Sequence, residues 1–478
     1  MHSDNPSLQG QLFRGTAKVF MAEALLLPTG LVTAAYLTRK LGPGDYGVFT
    51  LAATIVAWIE WTIVSVFGRA TFKLIAEAKD WNPAGTTLLR LHFFLSLVAA
   101  VMLWMAAPFL SQILKEPQLS YCLRLFAVDI PLFSLAQAHR NILIGLGRFQ
   151  QRAVVSAGRW LTRMIMMIVL VHFGFSINGA VWGSILASVA ELVAARIYVR
   201  PSFTGAAMPW KTLRETAMPL FLFAMSIRIF EKLDLVSLKA LGGTTTQAGF
   251  YGAAQNLSLI AGIFALSFSP LLLSALSELL AKDQLNRAKD MARSSMNLVI
   301  ALVPFCVLAS VSSSEIVSWI FGKLFMPAAP VFSFLLMGAL SLAMISVTTA
   351  ILTAAGKPVL TFLLAGPLVP VSLAGYWWYV PDYGPTGAAA IQALVATGGA
   401  LLTIWAVHKT WRVLPAIPTV LRAVFISTIV YFCAPFWLST GWFIVLKITF
   451  FSALIAVTLF LLGEHRSYRS AVSVDSPA

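Results

Sequence analysis

The sequence predicts an all-α polytopic membrane protein with about 14 transmembrane helices. Three observations carry that prediction. Apolar runs of about 20 residues, long enough to cross a bilayer, recur along the whole chain. The composition is 59% apolar and only 11% charged, with a mean hydropathy of +0.83. Lys and Arg also cluster in alternate connections, the asymmetry that fixes orientation in a bilayer. The runs are too long for strands, and they lack the alternation of an outer-membrane barrel.

Taken in order, spans are expected at 16–38, 46–68, 86–110, 120–144, 153–174, 177–199, 213–240, 248–276, 294–321, 330–354, 358–380, 384–407, 417–437 and 441–463. Residues 1–13 hold no Lys or Arg, and the first apolar run carries Glu23 and Pro28 without a clear cleavage site. This reads as an uncleaved first span. Placing the N-terminus in the cytoplasm assigns most of the 34 Lys and Arg to cytoplasmic connections, Arg140 counted among them. The C-terminus is then cytoplasmic too. Every connection is short, so no soluble domain is expected.

The net charge of +15 is dispersed over loops and does not suggest nucleic acid. Cys122, Cys306 and Cys433 lie far apart in apolar runs, and the six histidines lack ligand spacing, so no disulfide framework, metal site or cofactor is expected. Gly42-Pro43-Gly44-Asp45-Tyr46-Gly47 matches GxGxxG, but it joins two spans rather than a strand and a helix, and so reads as a turn. No Walker-type nucleotide motif occurs in the chain.

The stretch from Arg214 to Leu241 is long enough to span, yet it carries Arg228, Glu231, Lys232 and Asp234. Each such charge costs roughly 2.5–3.5 kcal/mol near the midplane of a bilayer. Such a helix belongs beside a wet cavity or in a self-neutralising cluster. Arg228 and Lys232 share a face and are candidate substrate-binding cations, with Glu231 and Asp234 balancing them. In the fifth span Arg152, Arg159 and Arg163 are spaced seven and four apart, on one face. Arg159 and Arg163 lie deeper than Arg152 and join Arg90 as candidate cavity cations, since guanidinium grips phosphate oxygens bidentately. The intramembrane acids Glu23, Glu60, Asp129 and Glu191 are either structural partners for these arginines or groups that titrate or bind Na⁺. Among them Asp129 stands first for ion coupling, because the nearby Pro131 frees backbone carbonyls.

An internal repeat runs through the chain at an offset of roughly 200–210 residues, as parallel repeats in transporters do. Arg14-Gly15-Thr16-Ala17 is echoed by Arg214-Glu215-Thr216-Ala217, and Leu41-Gly42 by Leu241-Gly242. Gly147-Arg148 pairs with Gly356-Lys357, and Gly174, Gly179 and Ala180 pair with Gly384, Gly387 and Ala388. Six spans per copy gives both copies one orientation, with a substrate site expected between two lobes. The expected division is 1–205, a first six-helix lobe; 206–411, a second; and 412–478, two added helices and a short cytoplasmic tail.

The run Leu37-Thr38-Arg39-Lys40-Leu41-Gly42-Pro43-Gly44-Asp45-Tyr46-Gly47 resembles the first extracytoplasmic turn of Wzx-type polysaccharide flippases. Gly145-Leu146-Gly147-Arg148-Phe149 resembles their turn after the fourth span. These proteins share a superfamily (MOP) with the multidrug MATE exporters and the lipid II flippase. The resemblance implies a MATE-like fold and alternating access around a cationic cavity. It also implies a polyprenyl-diphosphate-linked oligosaccharide as cargo, carried across the inner membrane for surface polysaccharide assembly. The lipid II flippase concentrates arginines in its first, second and eighth spans. Here the first span has Arg14 and Lys18 only at its mouth and the second has Glu60, so those arginines are not carried over. The expected partners are the lipid-linked substrate, membrane lipid and other polysaccharide-assembly proteins, and no covalent chemistry is expected. The rival readings are a MATE-like ion-coupled exporter of small molecules and, further off, a membrane transferase or polymerase.

Overall fold

A computed structural model describes residues 24–77, 80–205, 230, 232–437 and 439–462, and no strand occurs among them. Lipid offers no partner for exposed backbone N–H and C=O groups, so spanning segments close those bonds within themselves as helices. The chain forms two compact units, Met1–Gly249 and Phe250–Ala478.

The first unit opens with α1 (Leu26–Glu77), which turns sharply at Gly42, where φ is 72°. A Cβ disfavours that left-handed conformation, and Pro43 follows as a residue suited to start the second arm. Then come α2 (Asn82–Ile113), α3 (Pro117–Phe126), α4 (Asp129–Gly145), α5 (Phe149–His172) and α6 (Ser176–Tyr198). Helices α3 and α4 make up the fourth span, interrupted at residues 127–128. Near the ends assigned to the cytoplasm, Ile75, Ala84, Leu88, Ile142, Leu143 and Val199 form one buried cluster. At the opposite ends, Tyr36 meets His172 at 3.3 Å and the Ser176 hydroxyl donates to Asp45 at 3.2 Å.

The unit extends beyond residue 205 to include the end of the seventh span and the start of α7 (Thr245–Ala281). Glu116 holds this segment: the Thr245 hydroxyl donates to its carboxylate, and Lys239 Nζ lies 3.9 Å from it. Glycines permit the accompanying helix crossing. A Cβ on Gly47 would fall on the Thr245 carbonyl oxygen, and one on Gly249 on the Pro43 carbonyl oxygen.

The second unit holds the rest of α7, then α8 (Leu285–Ala301), α9 (Val303–Val311), α10 (Ser313–Phe321) and α11 (Ala328–Ala354). It continues with α12 (Pro358–Ala365), α13 (Leu368–Trp411), α14 (Ile417–Cys433) and α15 (Phe443–Leu461). The ninth span breaks between α8 and α9, and the eleventh between α12 and α13. Pro304 and Pro367 stand at those breaks because they lack the N–H that would continue the ladder. Helix α13 turns at Gly384, where φ is 52°. The last two helices pack on α9 through Leu308, Ile426, Val430, Ala434, Phe451 and Ile455. Lys447, 1% exposed, gives its ammonium to Glu315 at 2.8 Å, and Ser439 donates to the same carboxylate at 3.1 Å.

Among the described residues ten continuous helical segments are long and apolar enough to cross a membrane. Two of them turn once, at Gly42 and Gly384, and so cross twice. With α7, and with the seventh span taken from the sequence since only its residue 230 and those from 232 on are described, the total matches the fourteen expected. The glycine pairs of the repeat also share their geometry. Gly42 and Gly242, Gly147 and Gly356, and Gly174 and Gly384 all have positive φ.

Candidate functional site

The first unit gathers six charged side chains in the interior of its helices: Glu60, Asp129, Arg140, Arg159, Arg163 and Glu191. The helix spacing explains the convergence. Glu60 comes from the second arm of α1, Asp129 and Arg140 from α4, Arg159 and Arg163 from one face of α5, and Glu191 from α6. Glu60, Asp129, Arg140, Arg159 and Glu191 are all buried, and Arg163 is partly so.

Glu191 is the hub of a triad. Its Oε2 lies 2.6 Å from Arg159 Nη1, and its Oε1 lies 2.9 Å from Arg140 Nε. Arg140 gives the Nε hydrogen itself to Gln137 and donates from Nη1 to Ser156 Oγ at 3.0 Å. Arg159 donates to Ser188 Oγ at 3.1 Å, and its guanidinium lies 4.4 Å from the Phe133 ring centroid. Two guanidiniums on one carboxylate, each with hydroxyl or amide support, is an arrangement that makes burying charge tolerable.

The other three members are less engaged. They form no ion pair among the described residues, and Glu60 Oε1, Asp129 Oδ1 and Arg163 Nε are buried atoms with no hydrogen-bond partner, as are Glu191 Oε1 and Arg159 Nε within the triad. Glu60 and Asp129 act on each other electrostatically, and both feel Arg159, Arg163 and Glu191. Asp129 also faces Ser188. The break at residues 127–128 puts Asp129 in the first turn of α4, where a helix favours negative charge. Pro131 fits that turn because its missing N–H is one no intrahelical bond would have used.

The structure thus unites five residues singled out from sequence: Glu60, Asp129, Arg159, Arg163 and Glu191. It puts Arg90 elsewhere. Arg90 Nε donates to the Phe203 carbonyl at 2.7 Å and Nη2 to the Gly205 carbonyl at 3.1 Å, fastening the connection after α6. Lys232 is half-buried, and Asp234 is buried with its Oδ1 accepting from the Leu235 N–H at 2.7 Å. Arg228, Glu231 and Glu23 lie outside the described residues.

Arg140 is the main member that sequence reasoning missed. Counted with the cytoplasmic basic residues, it instead lies buried within α4 because Glu191 compensates it. A signal existed. Gln137 precedes Arg140 by one helical turn, and Ser188 precedes Glu191 by the same interval, which puts supporting polar groups on the same faces.

The sequence profile of the polysaccharide biosynthesis protein family matches residues 36–330, more than half of the chain. The chain belongs to that family. Its relatives include the "Probable flippase AglR" of Haloferax volcanii, 21% identical over 86% of this chain and 86% of that protein. A protein of Shigella flexneri named as an O-antigen transporter is 24% identical over 79% of this chain and 94% of its own. Among solved structures, the lipid II flippase MurJ in an inward closed conformation superposes with a TM-score of 0.75. That match covers 96% of this chain and 100% of MurJ at 14% identity, so it speaks to fold. This polysaccharide biosynthesis family member is therefore a multi-pass membrane protein with a MurJ-like fold.

Proposed function

We propose that the protein is a flippase that moves a polyprenyl-diphosphate-linked oligosaccharide across the inner membrane, for assembly of O-antigen, capsule or exopolysaccharide. The observation that carries this reading is family membership together with relatives named for flipping and O-antigen transport, aligned over most of their length. The fold supports it, since the chain shares its helical plan with a lipid II flippase from end to end. The mechanism is alternating access between two six-helix repeats, 1–205 and 206–411, with 412–478 as an added pair. Both termini face the cytoplasm, as the Lys and Arg distribution favours. Other polysaccharide-assembly proteins are the expected partners.

The anionic head group falls to cations not shown to be engaged elsewhere. Arg159 is engaged by Glu191 and Arg90 by two carbonyls, so Arg163 is favoured among the described candidates, with Lys232 and Arg228 kept as proposed head-group ligands from the sequence. Purified protein in liposomes should flip a polyprenyl-diphosphate-linked saccharide without ATP and respond to an imposed ion gradient or voltage. Replacing Arg228 and Lys232 together by Gln should abolish flipping at near-normal folded yield. Strict dependence on ATP hydrolysis by this chain, or full activity in the variant lacking Arg228, Glu231, Lys232 and Asp234 charges, would overturn the corresponding part.

A further inference from the structure

The buried cluster divides unevenly. Arg140, Glu191 and Arg159 form ion pairs within 2.9 Å, although Glu191 Oε1 accepts and Arg159 Nε donates no hydrogen bond. Glu60, Asp129 and Arg163 form no such pair. Glu60 is 7% exposed and Asp129 2%, yet each leaves a carboxyl oxygen without a hydrogen-bond partner, and neither forms an ion pair. Arg163, the nearest uncommitted guanidinium, acts on both from a distance and leaves its own Nε unpartnered. Two buried carboxylates facing one cation at long range is a costly arrangement unless something completes it.

We propose that Glu60 and Asp129 form a binding site for a monovalent cation, a proton or Na⁺, which the pair takes in exchange for the Arg163 guanidinium. The trio carries a formal charge of −1, so one monovalent cation neutralises it. A divalent metal ion fits poorly, because two guanidiniums stand beside the carboxylates. Among the described residues no group of three or more His, Cys, Asp and Glu is suited to a metal ion. The backbone adds an independent oxygen. Pro131 has no N–H to offer the Ala127 carbonyl, at the break that starts α4 beside Asp129. Broken helices with freed carbonyls are the usual hosts for coupling ions inside membranes.

The charged groups acting on Glu60 are Asp129 from α4, Arg159 and Arg163 from α5, and Glu191 from α6. Tyr46, on the same arm as Glu60, faces Arg163. With the cation bound, the carboxylates no longer attract Arg163, whose partly exposed side chain is released. With the cation absent, Arg163 is drawn toward them. The two states are linked, so removing the Arg163 charge must tighten cation binding. This deepens the transport reading and supplies its coupling ion, but its test needs no transport.

Purified protein in nanodiscs is melted while NaCl replaces choline chloride at fixed ionic strength and pH. In parallel, infrared difference spectra follow carboxylic-acid C=O absorption against pH in choline chloride. One arm should respond. Either Na⁺ raises Tm saturably, or a buried carboxylic-acid band titrates. Glu60→Gln and Asp129→Asn should each remove that response. Arg163→Gln should strengthen it, shifting the midpoint about tenfold in Na⁺ or the same factor in proton concentration. Arg163 makes no hydrogen bond that this change would break, so its variant remains informative even where a carboxylate variant folds poorly. No response in either arm, a response that survives both carboxylate variants, or a response that Arg163→Gln leaves unchanged or weakens would overturn the proposal. A cation response without flipping would instead count against the transport reading alone.

Discussion

At the residue scale, the charges inside the first unit differ in how completely they are matched, and that difference sets what each substitution does. Glu191 neutralises two buried guanidiniums at 2.6 and 2.9 Å, so Glu191→Leu strands both. Removing one partner of a buried ion pair costs about 3–5 kcal/mol. Glu191→Leu should therefore lower folded yield and Tm sharply in size-exclusion melts, while Glu191→Gln, which keeps hydrogen-bond acceptance, should lose less. Near-parental stability of both would show that the triad carries little of the fold's stability. Spacing made Arg159 and Arg163 legible as neighbours on one face of α5. Asp129 was legible from the proline two residues later. Their partners were not. Glu191 is more than a full helix away in sequence, and nothing local says whether α6 turns it toward α5 or toward lipid. Arg90 shows the converse: an arginine within an apolar run reads as a cavity cation, yet its hydrogen bonds go to backbone carbonyls of a connection whose path no periodicity encodes.

At the scale of elements, span positions followed from length and hydropathy, and the breaks inside them from proline and glycine. Gly42, Gly147 and Gly174 recur as Gly242, Gly356 and Gly384, each with a backbone that side chains other than glycine rarely adopt. Those turns were readable because backbone geometry there depends on one residue type. Close approach between helices was not readable, since it depends on what arrives from elsewhere in the chain. Gly47 and Gly249 belong to this second kind. An added methyl at either meets a backbone carbonyl, which cannot swing aside as a side chain can. Overpacking of this sort costs about 1–3 kcal/mol or more. Gly47→Ala and Gly249→Ala should each reduce the folded fraction in fluorescence-detected size exclusion, whereas Gly30→Ala, with nothing within 4 Å, should not. Equal behaviour of all three would mean that the crossing of α1 and α7 is looser than its geometry.

At the scale of the molecule, the structure shows which turns lie together, and the basic residues predict which side each set faces. The basic connections predict a cytoplasmic side for the turns near residues 79, 147 and 201. The structure joins those same turns to one another: Arg148 donates to the Tyr198 carbonyl at 2.9 Å, and one apolar cluster draws Ile75, Ala84, Ile142 and Val199 together. At the other end, the turns near residues 42, 116, 174 and 243 are likewise tied, by Tyr36 to His172, Asp45 to Ser176 and Glu116 to Thr245. An even number of crossings separates any two turns within each set, as a six-span repeat requires. Helices cannot be inserted or removed singly without splitting one of these sets across the membrane. Reporter fusions after Lys79, Lys211 and Arg293 should therefore report the cytoplasm, and fusions near Lys115, Lys323 and Asp382 the opposite side. A signal from the outer side at Lys211, with the cytoplasm still reported at Lys79, would mean an odd number of crossings between them. The two repeats would then insert in opposite orientations, and their matching turns at Gly42 and Gly242 would lie on different faces of the membrane.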